Sequence, residues 1–97
     1  MITRLVKLTF RADAPQNFLD EVFHDSKEKI RAVDGCEGMA LLRDVNNPNV
    51  YFTRSYWQSE AHLEAYRQSE LFKGVWAKTK VLFAEKAEAW TTEVVDE

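Results

Sequence analysis

The chain has little of what would set it apart from ordinary folded proteins. It holds a single cysteine, Cys36, so no internal disulfide can form, and no CxxC or HxxxH spacing exists to bind a structural zinc ion. Proline occurs twice and glycine three times in 97 residues, which excludes fibrous repeats and long disordered linkers. Apolar runs extend only a few residues, far short of the roughly 20 needed to cross a bilayer. The stretch MITRLVKLTF has neither a continuous apolar core nor a small-residue cleavage site. A cytoplasmic protein without membrane attachment is therefore expected. An excess of positive charge is also missing: 13 Lys and Arg face 16 Asp and Glu, and the basic residues are scattered between acidic ones. Such a chain offers no cationic stripe for a phosphate backbone, so no nucleic-acid partner is expected.

What is present suits one domain spanning residues 1–97, since domains typically run to roughly 100–150 residues. Ile2 to Arg11 alternates as a strand, with Val6, Leu8 and Phe10 on one face and Leu5, Lys7 and Thr9 on the other. Asp13-Ala14-Pro15 reads as a helix entrance, Pro being tolerated in the first turn and Asp13 suited to the orphan amides. The helix runs to about Ala32, with Phe18, Leu19, Val22, Phe23, Ile30 and Val33 at three- and four-residue steps. Asp34-Gly35 marks its exit. Strands from Cys36 or Glu37 to Asp44 and from Val50 to Trp57 flank the turn Asn46-Asn47-Pro48-Asn49 and form a hairpin. Ser59 and Ser69, each followed by glutamate, are N-caps for helices Glu60–Arg67 and Glu70–Phe83. A last strand covers about Ala87 to Val95.

The order strand, helix, strand, strand, helix, strand is the ferredoxin-like α+β pattern, a four-stranded antiparallel sheet with helices on one face. Both sheet faces carry apolar side chains: Val50, Phe52 and Tyr56 oppose Tyr51 and Trp57, while Met39 and Leu41 oppose Ala40 and Leu42. Soluble monomers rarely expose several hundred square ångströms of contiguous apolar surface. A two-fold homodimer packed sheet against sheet is expected.

With that order comes the run FTRSYWQSEAHLEAYRQSELFKGVW, and above all Tyr56-Trp57-Gln58-Ser59-Glu60 followed by Ser69-Glu70-Leu71-Phe72. In these residues and across almost its whole length the chain resembles the antibiotic biosynthesis monooxygenase family of dimeric α+β barrels. The family is functionally mixed. Some members oxidise anthrones or quinols with molecular oxygen and neither metal nor flavin, some degrade haem, and some isomerise small signalling molecules. The haem-degrading branch carries a tryptophan at the position of Tyr66, an axial histidine at the position of Trp76 and a first-strand asparagine. This chain has Tyr66, Trp76 and no asparagine before Asn17, and an indole cannot ligate iron. The resemblance therefore implies a cofactor-independent monooxygenase acting on a small aromatic, quinol- or anthrone-like molecule. A homodimer of the same fold that binds a small molecule without chemistry is the alternative.

Cofactor-free oxygenation needs an apolar slot, a base and donors for a developing oxyanion. His62 stands four residues before Tyr66, so the two can share a helix face, and an imidazole suits proton abstraction near neutral pH. A solvent-facing His62 satisfies the same spacing, as does the rival His24. Trp57, Phe72, Tyr66, Trp76 and Trp90 provide enough aromatic surface to sandwich a flat ligand, and equally enough to fill a small core. Arg54, between Phe52 and Tyr56 on one strand face, suits a substrate oxyanion or an ion pair across a dimer interface. The resulting expectation assigns catalysis to His62 and Tyr66, substrate binding to Trp57, Trp76, Phe72 and Arg54, and no metal or other cofactor. Cys36 reads as an inert, partly buried thiol.

Overall fold

A computed structural model describes all residues, 1–97. In chain order the elements are β1 (Ile2–Thr9), a helical rod made of α1 (Pro15–Asn17), a π-helical turn (Phe18–Phe23) and α2 (His24–Arg31), then β2 (Cys36–Arg43), β3 (Val50–Trp57), α3 (Glu60–Arg67), α4 (Glu70–Lys80) and β4 (Glu88–Glu93). The strands form one sheet in the order β2-β3-β1-β4, every neighbouring pair antiparallel. This is the expected ferredoxin-like α+β architecture.

Strand parity decides which residues meet the helices. Ile2, Arg4, Val6 and Leu8 of β1 pair with Trp57, Ser55, Thr53 and Tyr51 of β3. Leu8, Tyr51, Ser55 and Trp57 are all buried, so this is the covered face. The other parity presents Leu5 opposite Arg54 and Trp90, and Leu42 opposite Phe52. Leu42 and Trp90 on that face are 37% and 46% exposed, which leaves it open and partly apolar. The core lies between helices and sheet, built from Leu8, Phe10, Ala14, Phe18, Val22 and Tyr51.

The serine caps form as their sequence context requires. Ser59 Oγ accepts from the His62 amide at 3.2 Å and Ser69 Oγ from the Phe72 amide at 3.1 Å, each satisfying an orphan donor of the following helix. In the β2–β3 turn, Asp44 and Asn47 side chains accept from the amides of Asn46 and Asn49. Gly35, three residues beyond the Ala32 C-cap, takes φ +84° and turns the chain into β2.

Three local expectations are corrected. Asp13 does not cap the first helix; Ala14 occupies the N-cap without a side-chain bond, while Asp13 turns toward Arg11 at 3.9 Å. The expected uninterrupted helix contains the π turn, where the His24 amide donates to the Leu19 carbonyl five residues back. Apolar steps of three and four suit either winding, so the spacing did not distinguish them. The second helix stops at Lys80, and Phe10 and Phe83 meet in an isolated bridge that closes one end of the core.

Candidate functional site

Between the helices and the covered sheet face lies a cavity of about 350 Å³. Its floor is Arg4, Val6, Leu8, Thr53 and Ser55 of the central strands. One wall is the helical rod through Phe18, Val22, Phe23, Ser26 and Ile30, and the other is α3 and α4 through Leu63, Tyr66, Arg67, Phe72, Val75, Trp76 and Thr79. The π turn contributes Phe18, Val22 and Phe23 to the wall, and the wider winding moves consecutive side chains onto it. Helix spacing explains α3's share, because Leu63, Tyr66 and Arg67 stand at i, i+3 and i+4.

A series of aromatic rings in contact runs through the cavity wall and the core behind it. Trp57 stacks on Tyr66 with centroids 5.0 Å apart, Tyr66 meets Phe72 at 5.3 Å, and Phe72 lies parallel to Trp76 at 5.9 Å. Trp76 continues to Phe83, Phe83 to Phe10, Phe10 to Phe18 and Phe18 to Phe23. The hydroxyls of Ser26 and Thr79 are turned back onto their own helices, each donating at 2.7 Å to a carbonyl four residues earlier. Little neutral polarity therefore remains in the lining, which suits a flat apolar body.

Charge enters at one place. Arg4 projects from mid-β1 onto the covered face, and its Nη1 donates to Thr91 Oγ1 at 2.6 Å. Arg67 borders the cavity from α3 with its Nη1 held 3.0 Å from Glu64 Oε2. Burial lowers the pKa of Arg4, and the nearby Arg67 lowers it further, against a smaller opposite effect of Glu64. Glu64 lies below the usual carboxylate range, first through the hydrogen bond from Gln68. No Asp, Glu or His lines the cavity.

Tyr66 is the one tyrosine of the lining. Burial pushes its pKa from 10 up to about 12, with Cys36 adding a smaller electrostatic push. At neutral pH Tyr66 is a donor, not a base. The folded chain thus keeps a proton that the unfolded chain releases between pH 10 and 12, so stability is fully present below pH 10 and falls as pH rises through about 12. The loss approaches roughly 3 kcal/mol, at about 1.4 kcal/mol per pKa unit. Urea unfolding across this window will show the decline in the wild type, and Tyr66→Phe will remove that part of it. A wild-type curve parallel to the variant's would contradict a buried phenol.

Of the residues expected to form the site, Tyr66, Phe72 and Trp76 do line the cavity. Trp57 does not: it is fully buried behind Tyr66, with Nε1 donating to Ser55 Oγ at 2.9 Å. His62 is likewise outside. Its Nδ1 lies 2.7 Å from Ser59 Oγ and its Nε2 3.8 Å from Asp34, so the ring closes the α3 cap against the turn at Gly35. His62 and Tyr66 are one turn apart, but the inward face of α3 is set by Leu63, which leaves His62 at its edge. Arg54 belongs to the opposite, open sheet face, its guanidinium 5.6 Å from the Tyr56 ring and its Nε buried without a partner. Trp90 shares that open face, and His24 is exposed beside Lys27. Arg4 and Arg67 were missed. Arg4 shares the parity of Val6 and Leu8, and Arg67 is four residues from Leu63, so both signals were available.

No three His, Cys, Asp or Glu side chains converge in a metal-binding group, and no helix is long and apolar enough to cross a membrane. A family model described as antibiotic biosynthesis monooxygenase matches residues 1–78. Among solved structures, one described as an antibiotic biosynthesis monooxygenase superposes with a TM-score of 0.88 at 16% identity, covering 99% of this chain and 100% of that one. Rv0793 from Mycobacterium tuberculosis gives 0.88 at 19% identity over 99% and 96% of the two chains. A conserved protein from Methanosarcina mazei Go1 gives 0.87 at 18% identity over 95% and 91%. At these identities the likeness establishes the fold. None of the curated proteins matches the sequence.

Proposed function

Because the chain belongs to the antibiotic biosynthesis monooxygenase family, we propose that it oxidises a small phenolic, quinol- or anthrone-like molecule with molecular oxygen, without a metal or other cofactor. The observation that carries this reading is the aromatic-walled cavity whose lining also includes Tyr66, Arg4 and Arg67. A flat substrate stacks between the π turn and Trp76. With no carboxylate or imidazole in the lining, its proton leaves to solvent at the Arg67 rim, and the two guanidiniums favour the resulting anion. The anion passes one electron to O2, giving a substrate radical and superoxide. Their recombination forms the carbon–oxygen bond as a peroxide anion, which takes a proton back from solvent, and the hydroperoxide then loses water to leave a carbonyl. One oxygen atom stays in the product, and the other departs as water with the regained proton and the hydrogen remaining on the oxidised carbon. Tyr66 donates a hydrogen bond to the substrate oxygen, the role its high pKa permits.

Oxygen uptake by the purified, chelator-treated protein with a panel of quinols and anthrones tests this. Consumption above the autoxidation blank, reduced about tenfold or more in Tyr66→Phe in keeping with the loss of one oxyanion donor, is the expected result. Consumption equal to the blank for every compound would sink the oxygenase reading. The absence of a titratable base from the lining favours a second reading, a binding protein without chemistry. Saturable uptake of the same compounds with no oxygen consumption would support it.

In either case the working unit is a homodimer joined through the open sheet faces. Exposed Leu42 and Trp90 on that face support this reading. Sedimentation should give a dimer for the wild type and a monomer for the double variant Leu42→Glu, Trp90→Glu. A monomeric wild type at micromolar concentration would refute it.

A further inference from the structure

We infer that the cavity is built for a monoanionic amphiphile, an aromatic body carrying a carboxylate, with the carboxylate seated between Arg4 and Arg67. The inference rests on the reading that this cavity is the ligand site, and holds whether or not chemistry follows binding.

Three observations meet here. The two cations of the lining come from different elements, β1 and α3, yet converge on one cavity. Arg4 is a half-buried strand residue on the helix-facing side of the sheet, pairing with Ser55 and sharing its face with Val6, so its charge borders an apolar interior. Burial first, and then the like charge of Arg67, lower the pKa of Arg4, so the two cations stand close enough to disfavour each other. An anion between the two guanidiniums relieves that repulsion.

The local charge count selects the ligand's valence. Arg4 and Arg67 bring two positive charges, and the only carboxylate acting on both is Glu64, bonded to Arg67 at 3.0 Å. One uncompensated positive charge remains in a chain whose net charge is −3. A carboxylate matches it, whereas a phosphate monoester brings nearly twice that charge. Geometry is compatible as well. The structure commits one Nη of each guanidinium, to Thr91 and to Glu64, and each guanidinium has five N–H donors in all. Most of the rest of the lining is hydrophobic, including Phe18, Phe23, Phe72 and Trp76, and takes the arene.

The test uses an isosteric pair, 2-naphthoate and 2-naphthalenemethanol, titrated calorimetrically into the wild type and into Arg4→Gln, Arg67→Gln and Arg4→Lys. Naphthoate is expected to bind about tenfold or more tightly than the alcohol, the scale of one charge-assisted hydrogen bond. That preference should weaken with added salt, vanish in Arg4→Gln, shrink in Arg67→Gln and persist in part in Arg4→Lys. Equal affinities for the two probes in the wild type would overturn the inference without recourse to any variant, and so would binding of neither. If naphthoate is preferred but no quinol or anthrone is oxidised, the anion site stands and the oxygenase reading fails. Melting curves of each variant, read beside the titrations, separate lost binding from lost folding.

Discussion

Trp57→Ala lowers the unfolding free energy by about 4 kcal/mol, within the range of roughly 3–5 kcal/mol seen when large buried aromatics are truncated. Trp57 is the largest fully buried side chain, with none of its surface accessible. It ends β3, pairs across the sheet with Ile2 and Cys36, and supports Tyr66 by stacking. Removing it forfeits the burial of an indole and leaves a void between the sheet and α3. It also takes away the donor to Ser55 Oγ. Trp57→Phe keeps a ring and loses the N–H, so its cost should be well below that of alanine. Urea unfolding at neutral pH measures both. A loss under 1 kcal/mol for Trp57→Ala would mean that α3 does not rest on this strand end. Because Tyr66 loses its support, any ligand of the cavity should also bind the alanine variant more weakly.

Gly35→Ala is the second severe change, expected to cost about 3 kcal/mol. Part is backbone: φ +84° lies where residues with a Cβ are strained by about 1 kcal/mol or more. The larger part is steric, since a Cβ at this position would overlap Cβ, Cγ and Cδ2 of His62. The His62 Cβ is fixed by the α3 backbone, so α3 itself must move, and with it the Ser59 cap and the Gly35 carbonyl that accepts from Gln58. The imidazole supplies two of the three overlapping atoms, so Gly35→Ala with His62→Ala should cost less than the sum of the single changes. Strict additivity in a double-mutant cycle would show that the imidazole contributes nothing to the cost. This contact also accounts for His62 without catalysis: it is a wedge between a tight turn and a helix start.

The parts of the fold that sequence discloses well are those fixed by short-range chemistry. Ser59 and Ser69 cap their helices because a hydroxyl two or three residues from free amides finds them whatever the tertiary context. The β2–β3 turn follows from Asp44 and Asn47 bonding their own backbone. The strand order needs only alternation, turns and the ferredoxin-like pattern. The site is harder, because it depends on which of two parities faces the helices. Arg54 and Arg4 are both single cations within apolar strands; only the burial of Trp57 and Tyr51 shows that Arg4 is the inward one. His62 illustrates a different limit, since sharing a helix face is a matter of 40° or so, and Leu63 takes the centre of that face. The π turn leaves no local mark because one extra residue changes winding without changing composition.

The placement of the tryptophans has an optical consequence. Trp57 is sealed in the core, Trp76 stands on the cavity wall, and Trp90 lies on the open sheet face. The molecule therefore carries one emitter for each of three separable events, unfolding and the two proposed above: Trp57 for loss of the fold, Trp76 for a ligand in the cavity, Trp90 for a second copy on the open sheet face. Chains that retain only one of them would report these events independently, in emission wavelength and in quenching, with no label added.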